Sequence, residues 1–310
     1  MTSLKISNLA HKLGSNKVSY SKLSKKYPSW NINEVKLKTG IDYIYQSKKN
    51  EDVLSLSLQS SKKTLKNFDK NKINAVVVVT QTAKNKLPSV SCILQDQLGL
   101  KKNIIAYDIN LGCSGFVYAL SNIYSLFEAN LASNVLLVCS DTYTKYLDKN
   151  NRTCRTIFSD SASSCIVQKK KSNKILSFTF HTDGSGFKSL IENDNLITMN
   201  GSEVFFFTTQ TVPKLFKKAL KKVNLKKEDI DHFVFHQASK LVLDKLSNDM
   251  NLPINQFHTN YKKIGNTTSA SIPIILENLS KKNIIKNNQR VMMIGFGVGL
   301  SAAVTIVEWQ

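Results

Sequence analysis

Three side chains far apart in the chain, Cys113, His236 and Asn266, occupy places where α/β proteins put groups that face a ligand. Cys113 lies in YDINLGCSGFVYAL (107–120), where a β-rich run stops at a small-residue turn and passes at once into a helical pattern. A cysteine there sits beside a helix N-terminus, whose unpaired N–H groups and dipole favour the thiolate, so a lowered thiol pKa is expected. The flanking glycines leave room for a substrate to reach the sulfur. His236 closes the apolar run HFVF and opens the loop HQAS, and Asn266 lies in KKIGNTTSAS, a glycine turn that leads into a helix. Taken singly, a cysteine in a glycine-rich turn is a small buried residue and a histidine after a strand is a satisfied structural one. Together, a cysteine, a histidine and an asparagine in matching positions of two similar halves are a much rarer accident and point to one shared site at the sulfur.

The elements that must position these groups alternate between β-rich runs and helical periods, which predicts an α/β architecture with largely parallel strands. Strands are expected at Ile73–Thr80, Ile104–Ile109, Val135–Ser140 and Ser164–Gln168, with helices over 88–98 and 115–129 between them. The second half repeats the order: a helix over 211–223, a strand over 232–236, a helix over 240–250, a short strand near 256–259, a helix over 269–279, then strands over 291–296 and 302–309 joined by a glycine turn. Two halves with the same element order point to a duplication, divided at 1–170 and 171–310. The lysine run KKKSNK (169–174) reads as a loop between them.

With 310 residues, 42% of them hydrophobic and 21% charged, the chain can bury a large core, which excludes a disordered or fibrous protein. Its 43 basic against 22 acidic residues give a net charge of +21, compatible with an acidic protein partner, nucleic acid or an anionic surface. Nearly all of the positive charge is lysine, spread from end to end, and arginine occurs only at 152, 155 and 290. That composition suits a solvated face and argues against base readout, so no nucleic acid is expected as a partner. Five cysteines, an odd number without a C-x-x-C pair, fit a reducing, cytoplasmic setting better than a disulfide framework or a thiolate zinc site. Residues 1–17 lack the apolar core of a secretory signal, and no apolar run is long enough for a membrane span.

The segments NLGCSGFVYAL at Cys113, HQAS at His236, GNTTSAS at Asn266 and GFGVGLS at 295–301 resemble, in this order, the β-ketoacyl-acyl carrier protein synthase III enzymes of the thiolase-like superfamily. Weaker echoes are KTGI (38–41), LPSVSC (87–92) and TMNGSEVFFF (198–207). The resemblance implies a five-layered αβαβα fold of two duplicated halves, a homodimer, and a decarboxylating Claisen condensation without cofactor or metal. An acyl-coenzyme A or acyl-carrier protein thioester would be the primer and malonyl-acyl carrier protein the extender. Cys113 would carry the acyl group, the backbone N–H groups of Cys113 and Val298 would form the oxyanion hole, and His236 and Asn266 would hold the enolate. Leu87, Phe296, Gly297 and Gly299 would line the substrate pocket, and Lys240 and Lys245 would dock the carrier protein, with Lys217, Lys218, Lys221 and Lys222 as a second basic stretch.

The chain departs from the family's pattern at several of these points. Glu34 and Lys38 stand where priming enzymes hold coenzyme A with a tryptophan and an arginine, which shifts the expected donor toward a carrier protein or another acyl group. Leu87 replaces an aromatic that closes the acyl pocket from the partner subunit, Leu241 a docking arginine, and FSDSAS (158–163) a glycine-containing turn. Val298 stands in place of a glycine, and a positive φ there would be strained. Two other readings remain open on the sequence: a divergent cysteine-dependent acyl transferase without decarboxylation, and a basic polyanion-binding protein.

Overall fold

The computed structural model describes residues 2–171 and 176–310. Two five-stranded sheets form its frame. The first runs, edge to edge, Thr2–Leu13, Ser161–Lys171, Asn134–Asp141, Ala75–Val79, Ile105–Ile109. The second has the same order of equivalents: Leu176–Thr182, Ser301–Glu308, Arg290–Gly297, His232–Phe235, Phe257–His258. In both, the last three strands are mutually parallel and the first two join antiparallel. The sheets are therefore mixed rather than largely parallel.

Burial explains why these runs become strands and where they lie. Ala75–Val79, AVVVV, is buried along its whole length, as a β-branched strand covered on both faces must be. Helices Gly115–Glu128 and Ser271–Lys281 lie between the sheets and pack on strands of both. Their faces carry Phe116, Leu120, Ile123 and Phe127, and Ile272, Ile274, Ile275 and Leu276, all buried. Each such side chain contributes about 1.5–3 kcal/mol on burial, so this middle layer fixes the two sheets against each other. Helices Val53–Leu65 and Val90–Gln97 cover the outer face of the first sheet, and Gly201–Lys222 with Lys240–Asp249 cover that of the second, completing five αβαβα layers.

Three expectations change. Lys169–Lys171 belong to a strand, not a loop, because Ser161–Lys171 pairs on both sides nearly to its end; residues 172–174 of that lysine run lie outside the described residues. The helix expected from Thr211 begins ten residues earlier, at Gly201, capped by the Asn200 side chain. The two edge strands Thr2–Leu13 and Leu176–Thr182 were not expected from the sequence; polar residues interrupt both runs.

The topology brings the three chemistry-bearing residues to one place. Cys113 follows the third strand of the first half, Asn266 follows its equivalent in the second half, and His236 follows the neighbouring strand His232–Phe235. Cys113 and Asn266 each precede one of the two middle-layer helices.

Candidate active site

A cavity of about 740 Å³ opens between exposed Glu34, Lys38, Arg152, Phe206 and Leu241, and Cys113, His236 and Asn266 line it as well. The latter three are 4%, 1% and 5% exposed, so the cavity is a channel from the surface to a buried centre. Phe296 and Gly297 also line it, whereas Gly299 and Leu87 do not. Leu87 is 81% exposed on the loop before helix Val90–Gln97 and so cannot shape the pocket of its own protomer.

The glycines of GFGVGLS have a steric reason. Strand Arg290–Gly297 runs against the nucleophile turn so closely that a Cβ on Gly295 would lie 2.6 Å from Ser114 Cα and 2.7 Å from the Cys113 carbonyl oxygen. At Gly297 (φ +151°) it would lie 3.0 Å from Cys113 Cβ and 3.1 Å from the sulfur. Only glycine admits both the contact and that φ. Val298 is not among the residues with positive φ, so it supplies its N–H without backbone strain. Ser301 Oγ donates to the Val298 carbonyl at 2.8 Å and meets Ser114 Oγ at 2.8 Å, tying this turn to the nucleophile turn.

Both the Cys113 and the Val298 N–H face the sulfur and act to lower the thiol pKa. They do not win. Burial, with the negative charge of Asp141 second, pushes Cys113 up to about 12, which overturns the lowered pKa expected from the helix N-terminus. The physical reason is that the sulfur is cut off from water, and desolvation of a thiolate outweighs two amide dipoles. The resting group is a thiol.

His236 is held on the other side. Burial drives it down to about 3, so the imidazole is neutral through the physiological range. Its Nδ1 lies 2.8 Å from Ser271 Oγ, its ring meets Phe296 edge-on at 5.4 Å, and the residue lines the cavity. Asn266 is clamped through its backbone: its N–H donates to the Ile157 carbonyl at 2.9 Å, and its carbonyl accepts from Ser159 N–H at 2.8 Å. Its Oδ1 accepts the Thr268 N–H at 2.9 Å, which aims the Nδ2 donor elsewhere. The structure thus brings a thiol, a neutral imidazole and an oriented amide to one cavity.

Sequence reasoning missed Asp141. It is fully buried and ends the strand Asn134–Asp141. Its Oδ1 accepts the Gln81 N–H at 2.8 Å and the Thr82 hydroxyl at 3.0 Å, and its Oδ2 the Thr268 hydroxyl at 2.7 Å, so it joins the strand ends of the first half to the Asn266 loop of the second. Burial raises it to about 6. The available signal was a run of polar residues, TQT and SDT, directly after two buried strands. Because its charge raises the Cys113 pKa, Asp141→Asn is expected to move the pH midpoint of Cys113 alkylation by iodoacetamide to lower pH. An unchanged midpoint means the carboxylate does not act on the sulfur.

The rim is electrostatically muted. Lys38 pairs with Glu34 at 2.7 Å, Lys240 with Asp244, and Lys245 with Asp249 at 2.5 Å, all at i,i+4 spacing within their own helices. Arg152, also missed, donates to the Trp30 carbonyl at 3.3 Å and borders the mouth. Among the described residues no helix is long and apolar enough to cross a membrane.

Two family models match, those for the 3-oxoacyl-[acyl-carrier-protein] synthase III domain over residues 107–184 and for its C-terminal domain over 220–309. The first spans Cys113, the second His236 and Asn266. The chain is 30% identical over 294 residues to a β-ketoacyl-[acyl-carrier-protein] synthase III of Fusobacterium nucleatum, covering 89% of each chain. To that of Acholeplasma laidlawii it is 34% identical over 244 residues, 78% of each. A crystal structure of a 3-oxoacyl-(acyl-carrier-protein) synthase III superposes with a TM-score of 0.95 at 31% identity, over 99% of this chain and all of that one. The layered halves, the buried thiol at the end of a channel and these similarities agree: the chain belongs to the 3-oxoacyl-[acyl-carrier-protein] synthase III family of condensing enzymes.

Proposed function

We propose that the protein joins an acyl thioester primer to malonyl-acyl carrier protein with loss of carbon dioxide, giving a 3-oxoacyl-acyl carrier protein. Cys113 is the nucleophile, and His236 and Asn266 stabilise the enolate. One observation carries this reading: a surface-opening channel on whose wall stand a buried thiol from one half of the fold and an imidazole and an amide from the other.

With a protonated thiol and a neutral imidazole, the first step needs a proton acceptor. His236 Nε2 takes the Cys113 proton as the sulfur attacks the primer's carbonyl carbon. The oxyanion lies between the N–H groups of Cys113 and Val298. Its collapse breaks the bond to the donor sulfur, which leaves with the proton held on Nε2. The malonyl thioester follows: His236 loses its Nδ1 proton and gains one at Nε2 by exchange with water in the channel, the carbon–carboxylate bond breaks, carbon dioxide departs, and the enolate oxygen is met by Asn266 Nδ2 and by His236 Nε2–H. The enolate carbon attacks the acyl-enzyme carbonyl, the same N–H pair holds the second oxyanion, and Cys113 leaves and takes a proton from solvent. Ser271 Oγ lies 2.8 Å from Nδ1 and 2.9 Å from the Thr268 carbonyl, so its hydroxyl can support either neutral tautomer. Each oxyanion in this sequence is met by N–H donors, and the proposal needs neither cofactor nor metal.

The carrier protein is the proposed macromolecular partner, with Lys240 and Lys245 on the exposed side of a helix whose Leu241 and Val242 border the channel. A homodimer is supported by the edge strand Ile105–Ile109, half-buried along its length, and by Phe178, Phe180, Tyr118 and Tyr124, which pack together with Phe180 still 38% exposed. Leu87 would meet the second protomer there. The halves are assigned to 1–170 and 171–310, one five-stranded sheet to each apart from Lys171, the last residue of strand Ser161–Lys171. A reducing cytoplasmic setting fits five cysteines, all free.

Incubation with acyl thioesters should add one acyl mass to Cys113, and malonyl-carrier protein should then release carbon dioxide and regenerate the free enzyme. Acylation without carbon dioxide release would identify a non-decarboxylating acyl transferase instead.

A further inference from the structure

Among the described residues ten other than glycine have a positive φ, and nine of them are Asn or Asp, whose short polar side chains tolerate it. The tenth is Thr268, at φ +48°, fully buried two residues after Asn266. A β-branched residue is strained in that region, and such strain persists only where the surroundings over-determine it. Both halves of the fold supply those surroundings. The Thr268 N–H donates to Asn266 Oδ1 at 2.9 Å. Its carbonyl accepts from Ser271 Oγ at 2.9 Å, and Ser271 Oγ lies 2.8 Å from His236 Nδ1. With Ser271 donating to that carbonyl, its oxygen accepts the Nδ1–H, the tautomer whose Nε2 takes the Cys113 proton. The same carbonyl also acts directly on the imidazole, against the burial that lowers its pKa. The Thr268 hydroxyl donates to Asp141 Oδ2 at 2.7 Å, a stronger acceptor than the Thr267 carbonyl 2.8 Å away. Asp141 is fixed in turn by the first half, its Oδ1 accepting from Gln81 and Thr82.

We propose that Thr268 is a positioning residue: held left-handed by Asp141 of the first half, it sets the orientation of both groups that receive the enolate, Asn266 through its N–H and His236 through its carbonyl and Ser271. The inference rests on Asn266 and His236 holding the enolate, as in the preceding subsection. Thr268 does not line the channel, so it acts through these two side chains and not on the substrate. Without the tie to Asp141, the turn loses the contact that offsets its strain, and φ relaxes toward negative values. Because φ sets the angle between a residue's N–H and its carbonyl, the bonds to Asn266 and to Ser271 cannot both survive that change. The Cys113 and Val298 N–H groups stand on other turns and still face the sulfur. The loss therefore falls on decarboxylation more than on acylation.

The test measures two rates on the full chain: carbon dioxide release from saturating malonyl-carrier protein, and acyl gain on Cys113 from acetyl-coenzyme A by intact-mass spectrometry. Thr268→Val keeps the branched shape and removes the hydroxyl; it should slow carbon dioxide release about 10–100-fold, the scale of a misplaced catalytic group, and acyl gain by no more than about fivefold. Thr268→Ser restores the hydroxyl and should run near the wild-type rate in both. Thr268→Gly meets the positive φ without strain and lacks the hydroxyl, so it carries the same test if the valine variant does not fold. A folded valine or glycine variant that releases carbon dioxide at the wild-type rate overturns the proposal. So do equal falls in the two rates, which mark a merely structural residue, and a serine variant as slow as the valine one. A wild type that releases no carbon dioxide overturns the preceding reading and this inference together, a result distinct from an active wild type with an indifferent valine variant.

Discussion

Replacing Cys113 with alanine is expected to abolish acyl-enzyme formation and to lower condensation by at least about 10⁴-fold, the scale seen when a covalent nucleophile is removed. The substitution is small and sits in a turn whose position is set by main-chain and glycine contacts, among them the Gly115 N–H donating to the Gly112 carbonyl at 2.8 Å. His236 and Asn266 keep their anchors, since neither is held by the sulfur. Decarboxylation of malonyl-carrier protein should therefore survive the loss of condensation, slow and uncoupled, and be visible as carbon dioxide release without 3-oxoacyl product. That separation is the informative result. If carbon dioxide release vanishes along with acylation, the two half-reactions share the sulfur in a way the geometry does not provide. If condensation persists above about one part in a hundred, Cys113 is not the nucleophile.

The high pKa of Cys113 shapes how this chemistry is started. A thiolate at rest would be the stronger nucleophile, but the burial that raises the thiol to about 12 keeps the thiolate fraction small near neutral pH until a substrate carbonyl and a proton acceptor are both in place. His236, depressed to about 3, is a neutral acceptor over the working range, so no acid limb from its ordinary value near 6.5 is expected in the pH profile. The group near the sulfur that does titrate close to neutrality is Asp141, at about 6. Above that pH its charge opposes the thiolate; below it the opposition fades while the thiol itself is more fully protonated.

Much of this site was legible in the sequence, and for a physical reason. A strand that ends in Gly-Cys-Ser-Gly before a helical period specifies a turn, a helix start and a small-residue surround, which together place one thiol at a layer boundary. Of the glycines of GFGVGLS, Gly297 is likewise dictated by contact with that thiol and Gly295 by contact with the backbone of its turn. The sign of the pKa shift was not legible, because it depends on how completely distant residues exclude water, and no local pattern encodes that. Asp141 escaped for the same reason. A carboxylate after VLLVCS looks like a loop residue until the Thr268 hydroxyl, supplied from the other half of the chain, is found 2.7 Å from it. The edge strands were hidden by composition: Thr2–Leu13 and Leu176–Thr182 have one side unpaired and tolerate polar residues that a central strand such as Ala75–Val79 does not.

Asn266 offers the sharpest separation of structural from catalytic roles. Its Oδ1 holds the Thr268 N–H and its Nδ2 is the proposed donor to the enolate oxygen, so one carboxamide does both jobs at opposite ends. Asn266→Ala removes both and should slow condensation by about 10²–10³-fold, the effect of one preorganised donor at about 2.7–4 kcal/mol. It also leaves the buried Thr268 N–H unpaired, at a stability cost of about 1–3 kcal/mol that thermal unfolding would register. Asn266→Asp keeps an oxygen for Thr268 and, when ionised, replaces the donor with a second acceptor, so the structural bond survives while the catalytic one is lost. The Asp variant should therefore match the Ala variant in lost decarboxylation while unfolding closer to the wild type. In both, acylation of Cys113 should stay within a few-fold of wild type, because the N–H groups of Cys113 and Val298 and the ring of His236 are untouched. A large fall in acylation in the Asp variant would mean that Asn266 serves the first half-reaction, and the division of labour proposed for the channel would have to be redrawn.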